Sequence, residues 1–151
     1  MALVEVIIGS KTDESYLEGT LQVLNEMGIT YNFSVISAHR APEKLHKYVN
    51  QAIKDGVELF ITAAGGAAAL PGVVASLTVC PVIGIPLPTS DIKGVDALFS
   101  IVQMPPGIPV ACVSVGAWGC RNAAYIAAEI LGIKYPEIRD KIIEYRKKIS
   151  Q

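Results

Sequence analysis

A short polar segment, Ser37 to Arg40, brings together side chains that can bind an anion and move a proton. It follows the strand-like run 33–36, and Pro42, which suits the first turn of a helix, comes soon after it. The pattern predicts that the segment joins the carboxyl end of a strand to the amino end of a helix. There a hydroxyl, the His39 imidazole and a guanidinium can meet one ligand. The alternative is a polar loop whose histidine is merely exposed or hydrogen-bonded.

A second candidate segment is GSKTD, residues 9–13, at the start of a predicted helix. Gly9 suits the turn, and the free backbone N–H groups of a helix start favour a phosphate, with the Ser10 hydroxyl as a further donor. Asp13 is either the N-cap of the helix or a partner for a ribose hydroxyl. The segment matches neither a Walker A loop nor the GxGxxG fingerprint.

The third candidate segment is AAGGAAALPG, residues 63–72, in which only Leu70 and Pro71 are larger than alanine. Small residues suit a tight turn with close helix packing. They also let the main chain approach a flat ligand, and the length of the run favours this second interpretation. No carboxylate pair, nucleophile elbow or metal-ligand motif appears, so His39 is the best acid–base candidate. Trp118 and Arg121 are either site-lining or surface residues.

Alternating strand and helix patterns must position these segments. We predict strands over 3–8, 31–36, 57–62, 81–86 and 109–115, and helices over 11–28, 42–55, from within 63–72 to 78, 95–103, 119–132 and 135–151. Nearly continuous apolar strands indicate a parallel sheet covered on both faces. We therefore expect a three-layer, flavodoxin-like α/β domain with five strands, the first strand lying between the second and the third. In such sheets ligands bind at the carboxyl ends of the strands, which would bring the three candidate segments together.

Composition narrows the functional class. The chain has 151 residues, enough for one domain over 1–151, with 51% hydrophobic residues and a formal net charge of −1. This charge gives no electrostatic case for nucleic acid or a membrane surface, and no apolar run has the length of a membrane span. The cysteines form no CxxC pair, which predicts reduced thiols and a cytoplasmic protein without a metal site. The helix predicted at about 135–150 either folds back on its own domain or docks on another subunit.

Four motifs occur in register: GSKTD, SAHRAPE, AGGAAALPG and SIVQMPPGIPVA at 100–111. Together they resemble the PurE family of purine biosynthesis over nearly the whole chain. The resemblance implies a flavodoxin-like homo-octamer without a cofactor, in which the C-terminal helix packs on a neighbour. It also implies that His39 is the catalytic acid–base. The substrate-binding residues that it implies are Ser10, Asp13, Ser37, Ala38, Arg40, Gly65, Gly66, Ala67 and Leu70.

The forms SAHR and GGAA resemble the class that acts as 5-(carboxyamino)imidazole ribonucleotide mutase. The implied reaction moves a carboxylate from the exocyclic nitrogen to the ring carbon and gives 4-carboxy-5-aminoimidazole ribonucleotide. One alternative is an aminoimidazole ribonucleotide carboxylase that uses free carbon dioxide, and another is a non-catalytic nucleotide-binding homologue. The chain departs from the usual pattern at Ala69, where this class carries His, and at Glu14, where it carries Trp.

Overall fold

Five parallel strands form the central layer of the protein, whose computed structural model describes residues 1–151. The strands are β1 (Val4–Ile8), β2 (Tyr31–Val35), β3 (Leu59–Gly65), β4 (Val82–Leu87) and β5 (Ala111–Cys112). They lie in the order β2-β1-β3-β4-β5, and every neighbouring pair is parallel. This order confirms the predicted flavodoxin-like arrangement, with β1 between β2 and β3.

Helices cover both faces of the sheet. A 3₁₀ helix (Lys11–Leu17) leads into α1 (Glu18–Glu26), and the others are α2 (Pro42–Lys54), α3 (Leu70–Leu77), α4 (Val95–Val102), α5 (Ala117–Leu131) and α6 (Pro136–Ile149). Buried residues of α1, α5 and α6 form one apolar cluster with the sheet, and those of α2, α3 and α4 form a second cluster on the opposite side. We call these two sides the α1 face and the α2 face.

Alternation along each strand determines which side chain meets which cluster. In β1, Val4, Val6 and Ile8 belong to the cluster of the α1 face, while Ile7 belongs to that of the α2 face. All five residues of the strand are buried, which explains its nearly unbroken apolar sequence. Glu5 is the one charged residue in this strand, and its position places it on the α2 face.

The edge strand β5 is much shorter than the predicted strand over 109–115. It pairs with β4 only through Ala111 and Cys112, and the Val113 N–H adds one bond to the Gly84 carbonyl, at 3.1 Å. An edge strand has a partner on one side only, and Pro109 has no N–H to donate. The sequence pattern shows the apolar run, but the extent of pairing depends on the neighbouring strand.

The C-terminal helix α6 folds back on its own chain. Ile138 and Ile142 are 2% and 7% exposed and join the cluster of the α1 face. Tyr145 stacks on Tyr125 of α5, with ring centroids 4.7 Å apart. This packing accounts for one stripe of the helix, whereas Ile143 and Ile149 remain exposed.

None of the helices is both long and apolar enough to cross a membrane.

Candidate active site

The carboxyl ends of β2, β1 and β3 meet at one edge of the sheet. Ile8 is in register with Val35 on one side and with Ala63 on the other. Because the strands are parallel, the three candidate segments leave this edge together and enclose a pocket of about 160 Å³. The lining residues are Gly9, Ser10, Asp13, Ser37, Ala38, His39, Arg40, Ala64, Gly65, Ala67, Ala68, Ala69 and Leu70.

The pocket therefore brings together His39 and all but one of the predicted substrate-binding residues. The exception is Gly66, which does not line the pocket and adopts a φ of +61° in the turn after β3. The lining residues that were not among the predicted catalytic and substrate-binding residues are Gly9, Ala64, Ala68 and Ala69, although all four lie in the candidate segments. All four adjoin predicted site residues, but a small side chain carries no chemical signal that would separate them from ordinary packing residues.

Ser10 is the N-cap of the 3₁₀ helix, so the interpretation of Asp13 as the cap is wrong. The Ser10 hydroxyl accepts a bond from the Thr12 N–H at 3.4 Å and lies 2.9 Å from the Thr12 hydroxyl. The Asp13 carboxyl is thus not needed as a cap, and the residue is only 6% exposed at the pocket wall. Burial raises the pKa of Asp13 above its ordinary value, and a hydrogen bond with the Ser10 backbone opposes this rise.

The segment after β2 is a tight turn held by Ser37. Its hydroxyl accepts a bond from the Arg40 N–H at 3.1 Å, and its carbonyl accepts one from the Ala41 N–H at 3.0 Å. The helix α2 then begins at Pro42. Within this turn the side chains of His39 and Arg40 are exposed, and neither forms an ion pair within the chain. The turn therefore presents a cation and an imidazole to the pocket.

Packing within the chain explains part of the small-residue segment. A Cβ atom at Gly65 would lie 1.7 Å from the Thr89 hydroxyl, and one at Gly72 would lie 2.9 Å from the Met104 sulfur. Gly65 is thus constrained by the neighbouring loop independently of any ligand, whereas the flexible end of the Met104 side chain can move aside at Gly72. Ala67 is exposed in the pocket wall, as close approach to a ligand would need. The packing interpretation therefore holds at Gly65, and the approach of the main chain to a ligand remains a prediction for the exposed part of the segment.

The remaining candidates lie outside the pocket. Trp118 is 82% exposed, and the Arg121 side chain lies beside Gly19 of α1. The nearby hydroxyls of Tyr125 and Tyr145 raise the pKa of Arg121, so this guanidinium lies toward the α5–α6 pair. No group of three or more His, Cys, Asp or Glu side chains is arranged to hold a metal ion.

A doubly wound parallel sheet with a polar pocket at the carboxyl ends of its central strands defines a flavodoxin-like ligand-binding domain. Residues 3–151 match the family of AIR carboxylase. The chain belongs to this family, which confirms the resemblance to PurE.

Individual relatives agree with this assignment. The chain is 52% identical over 145 residues to the N5-carboxyaminoimidazole ribonucleotide mutase of Saccharolobus solfataricus, covering 96% of this chain and 90% of the relative. It is 50% identical over 151 residues to the mutase of the same name from Pyrococcus abyssi, covering 100% of this chain and 86% of the relative. The crystal structure of Treponema denticola PurE superposes with a TM-score of 0.91 at 31% identity, covering 100% of this chain and 93% of that one.

Proposed function

We propose that this protein is an N5-carboxyaminoimidazole ribonucleotide mutase of purine biosynthesis. The observation that carries the proposal is the pocket itself. It contains one exposed imidazole, one exposed guanidinium and one buried carboxyl, in a chain about half identical to enzymes of that name over nearly its full length. The observations favour neither the carboxylase that uses free carbon dioxide nor a non-catalytic homologue.

The lining residues divide into anion binding and proton transfer. The start of the 3₁₀ helix, with Ser10 as its cap, and the Arg40 guanidinium suit the phosphate and ribose of a ribonucleotide. Asp13 accepts a hydrogen bond from a ribose hydroxyl, and the backbone of Ser37 and Ala38 lies beside the nucleotide. The segment from Gly65 to Leu70, including Gly66, closes over the imidazole ring and the carboxylate. These roles follow the family resemblance and the geometry of the pocket.

His39 is the proton carrier in this proposal. The other titratable residues of the pocket wall, Asp13 and Arg40, are assigned to substrate binding. As an imidazolium it gives a proton to the exocyclic nitrogen while the bond from that nitrogen to the carboxylate carbon breaks. Carbon dioxide is then held in the pocket while the adjacent ring carbon attacks it. Neutral His39 finally removes the proton from that ring carbon, so a carboxylate and a proton have exchanged places and the enzyme is regenerated. Recapture depends on proximity in a closed pocket.

The protein acts as a homo-oligomer, an octamer by the family resemblance, in the cytoplasm. Exposed apolar side chains on α4, namely Val95, Phe99 and Val102, support an interface between copies. The exposed face of α6 supports contact with a neighbour as well. Three free cysteines support a reducing compartment. The mass in solution, measured by light scattering after size-exclusion chromatography, tests the octamer.

Turnover with two substrates offered separately tests the activity. One is N5-carboxyaminoimidazole ribonucleotide, and the other is aminoimidazole ribonucleotide with bicarbonate. We expect rapid conversion of the first and little conversion of the second at low bicarbonate. Efficient conversion of the second alone would assign the protein to direct carboxylation. Binding without conversion of either would make it a non-catalytic homologue.

A further inference from the structure

Glu5 is a buried carboxylate that the proposed chemistry does not use. It lies in the middle of β1, is 1% exposed, and belongs to none of the three salt bridges of the chain. A charge removed from water without a neighbouring cation is costly unless hydrogen bonds satisfy it. An apolar residue at this position would fit the rest of the strand. The acid therefore needs a reason other than the stability of the core.

Two polar side chains on the α2 face hydrogen-bond to this carboxylate, and a third hydrogen-bonds to one of them. The Tyr48 hydroxyl, from α2, donates to Oε1 of Glu5, and the Asn32 side-chain amide donates to Oε2 at 3.1 Å. The Ser34 hydroxyl is hydrogen-bonded to the same Tyr48 oxygen. Burial and the bond to Glu5 raise the pKa of Tyr48 to about 12, so the phenol remains a donor at neutral pH. We call these four residues the Glu5 network.

The network joins β1, β2 and α2, the three elements next to the polar site residues. Glu5 lies in β1, which ends one residue before Gly9, and Ser34 lies in β2, three residues before Ser37. Tyr48 is six residues into α2, about 9 Å along the axis from Pro42, where the helix leaves the His39 turn. The two strands remain paired up to the site, because the Ile36 N–H bonds to the Ile8 carbonyl at 2.8 Å.

We infer that Glu5 and Tyr48 are positioning residues for the proposed reaction, because they hold α2 against β1 and β2. In this position of the helix, His39 and Arg40 face the substrate bound at the segment after β1. The inference rests on the proposed function. The apolar contacts of Leu45 and Val49 also attach α2 to the sheet, but such contacts are not directional. The Tyr48 hydroxyl, by contrast, is held by directional hydrogen bonds to Glu5 of β1 and Ser34 of β2, which restrict the rotation and the axial position of the helix at that residue. Displacement of a catalytic group by about 1 Å can reduce a rate by about 100-fold.

Tyr48→Phe is the first test, because it removes one hydroxyl and keeps the ring. We expect kcat to fall by about 10-fold to 100-fold, because misplacement of His39 affects the chemical step, and KM to rise by a smaller factor, because Arg40 lies in the same turn. Tyr135→Phe is the matched control. The Tyr135 hydroxyl also donates to a glutamate, Glu58, but that pair lies where β3 begins, at the opposite edge of the sheet. The control variant should keep the kcat of the wild type.

A second variant separates positioning from stability. In Glu5→Leu/Tyr48→Phe the buried polar pair is replaced by apolar groups, a change that is often neutral or stabilising. We expect the free energy of unfolding to be kept or increased while kcat stays low. Glu5→Gln keeps an acceptor for Tyr48, so this variant should keep most of the wild-type kcat.

Two results would overturn the inference: an unchanged kcat in Tyr48→Phe, or a kcat restored to the wild-type value in the double variant. The assay of the wild type in the same experiment distinguishes failure of the inference from failure of the proposed function. If the wild type does not convert N5-carboxyaminoimidazole ribonucleotide, the proposed function falls and the inference falls with it. If the wild type is active and only the variants behave otherwise than expected, the inference alone is wrong.

Discussion

The two faces of the sheet are held by different chemistry. On the α1 face the inward side chains of β1 are Val4, Val6 and Ile8, and the helices above them contribute mainly alanine, leucine and isoleucine. On the α2 face the same strand presents Glu5, and the adjacent strand presents polar side chains to a tyrosine of α2. The contacts of β1 with the α1 face are therefore non-directional apolar burial, whereas its contacts with the α2 face combine apolar burial with directional hydrogen bonds. The α1 face has a buried hydrogen bond too, from the Thr20 hydroxyl to the Cys120 carbonyl at 2.7 Å, but this bond joins α1 to α5 and not to the sheet.

This difference follows the placement of the site. The His39 turn and the small-residue segment lead into α2 and α3, the helices of the α2 face. The α1 face contributes the remaining segment, through a 3₁₀ helix capped by Ser10. An apolar interface tolerates small shifts, whereas a site that transfers a proton needs fixed geometry. The hydrogen bonds that attach a helix to β1 and β2 thus lie on the face whose helices follow two of the three site segments.

The largest effect is expected for His39→Asn. It removes the proton carrier and leaves Arg40 and Asp13 in place. Turnover should therefore fall by about 100-fold to 10,000-fold while the ribonucleotide still binds. Steady-state kinetics together with isothermal titration calorimetry measure both quantities. His46→Asn, on the exposed surface of α2, is the control and should be neutral. Near-normal turnover in His39→Asn would show that the acid–base assignment is wrong.

The two faces can be compared by replacing one buried leucine on each face. Leu24 of α1 and Leu45 of α2 are both fully buried, one in each cluster. Replacement of either by alanine should lower the free energy of unfolding by about 2–5 kcal/mol, measured by urea denaturation. We expect kcat to fall further in Leu45→Ala, because α2 carries the His39 turn. Equal effects on kcat would show that the two faces are equally able to position the site.

Gly65→Ala tests the packing explanation for the small-residue segment. A new Cβ would meet the Thr89 hydroxyl at 1.7 Å and the Leu87 carbonyl oxygen at 3.2 Å. We expect a loss of stability of about 1–3 kcal/mol from overpacking, measured by urea denaturation. Thr89→Ala in the same chain should recover part of that loss, since it removes the nearest atom. No loss in Gly65→Ala would show that contact with Thr89 does not require the glycine.

The smallest effect concerns the buried Asp13 and its dependence on pH. Because burial raises its folded-state pKa above the ordinary value of 3.8, the folded chain binds this proton more tightly than the unfolded chain. The stability due to this group is thus present below that value and is lost as the pH rises through the raised pKa. Asp13→Asn should be more stable than the wild type at pH 7, and this advantage should disappear at pH 3.5.

Urea midpoints at the two pH values measure this difference. Asp91→Asn, at an exposed aspartate, controls for the loss of one negative charge. An equal difference at both pH values would contradict the assigned cause. The same Asp13→Asn variant should lower kcat/KM, so that a gain in stability accompanies a loss of function.

The sequence predicted the fold class and most of the pocket because the local signals were strong. Pro42 marked the start of α2, and β-rich runs located the buried strands within a few residues. The 3₁₀ helix after Ser10 and the short β5 were not anticipated. Local pattern does not distinguish a 3₁₀ turn from an α-helical one at a helix start. The pairing of an edge strand depends on its neighbour.

By itself, the sequence determined the alternation of strands and helices, the polarity of the strand ends and the choice of His39 as the acid–base candidate. These properties are local, since they follow from the period of apolar residues and from the chemistry of single side chains. Tertiary structure alone decided that Ser10 caps the helix, that Gly65 must accommodate Thr89, and that Glu5 meets Tyr48. The Ser10 cap is a local contact, but the residue chosen as cap depends on where the turn after β1 places the helix start. The other two contacts join residues far apart in the chain, and only the packing of α2 on the sheet brings Glu5 and Tyr48 into hydrogen-bonding distance.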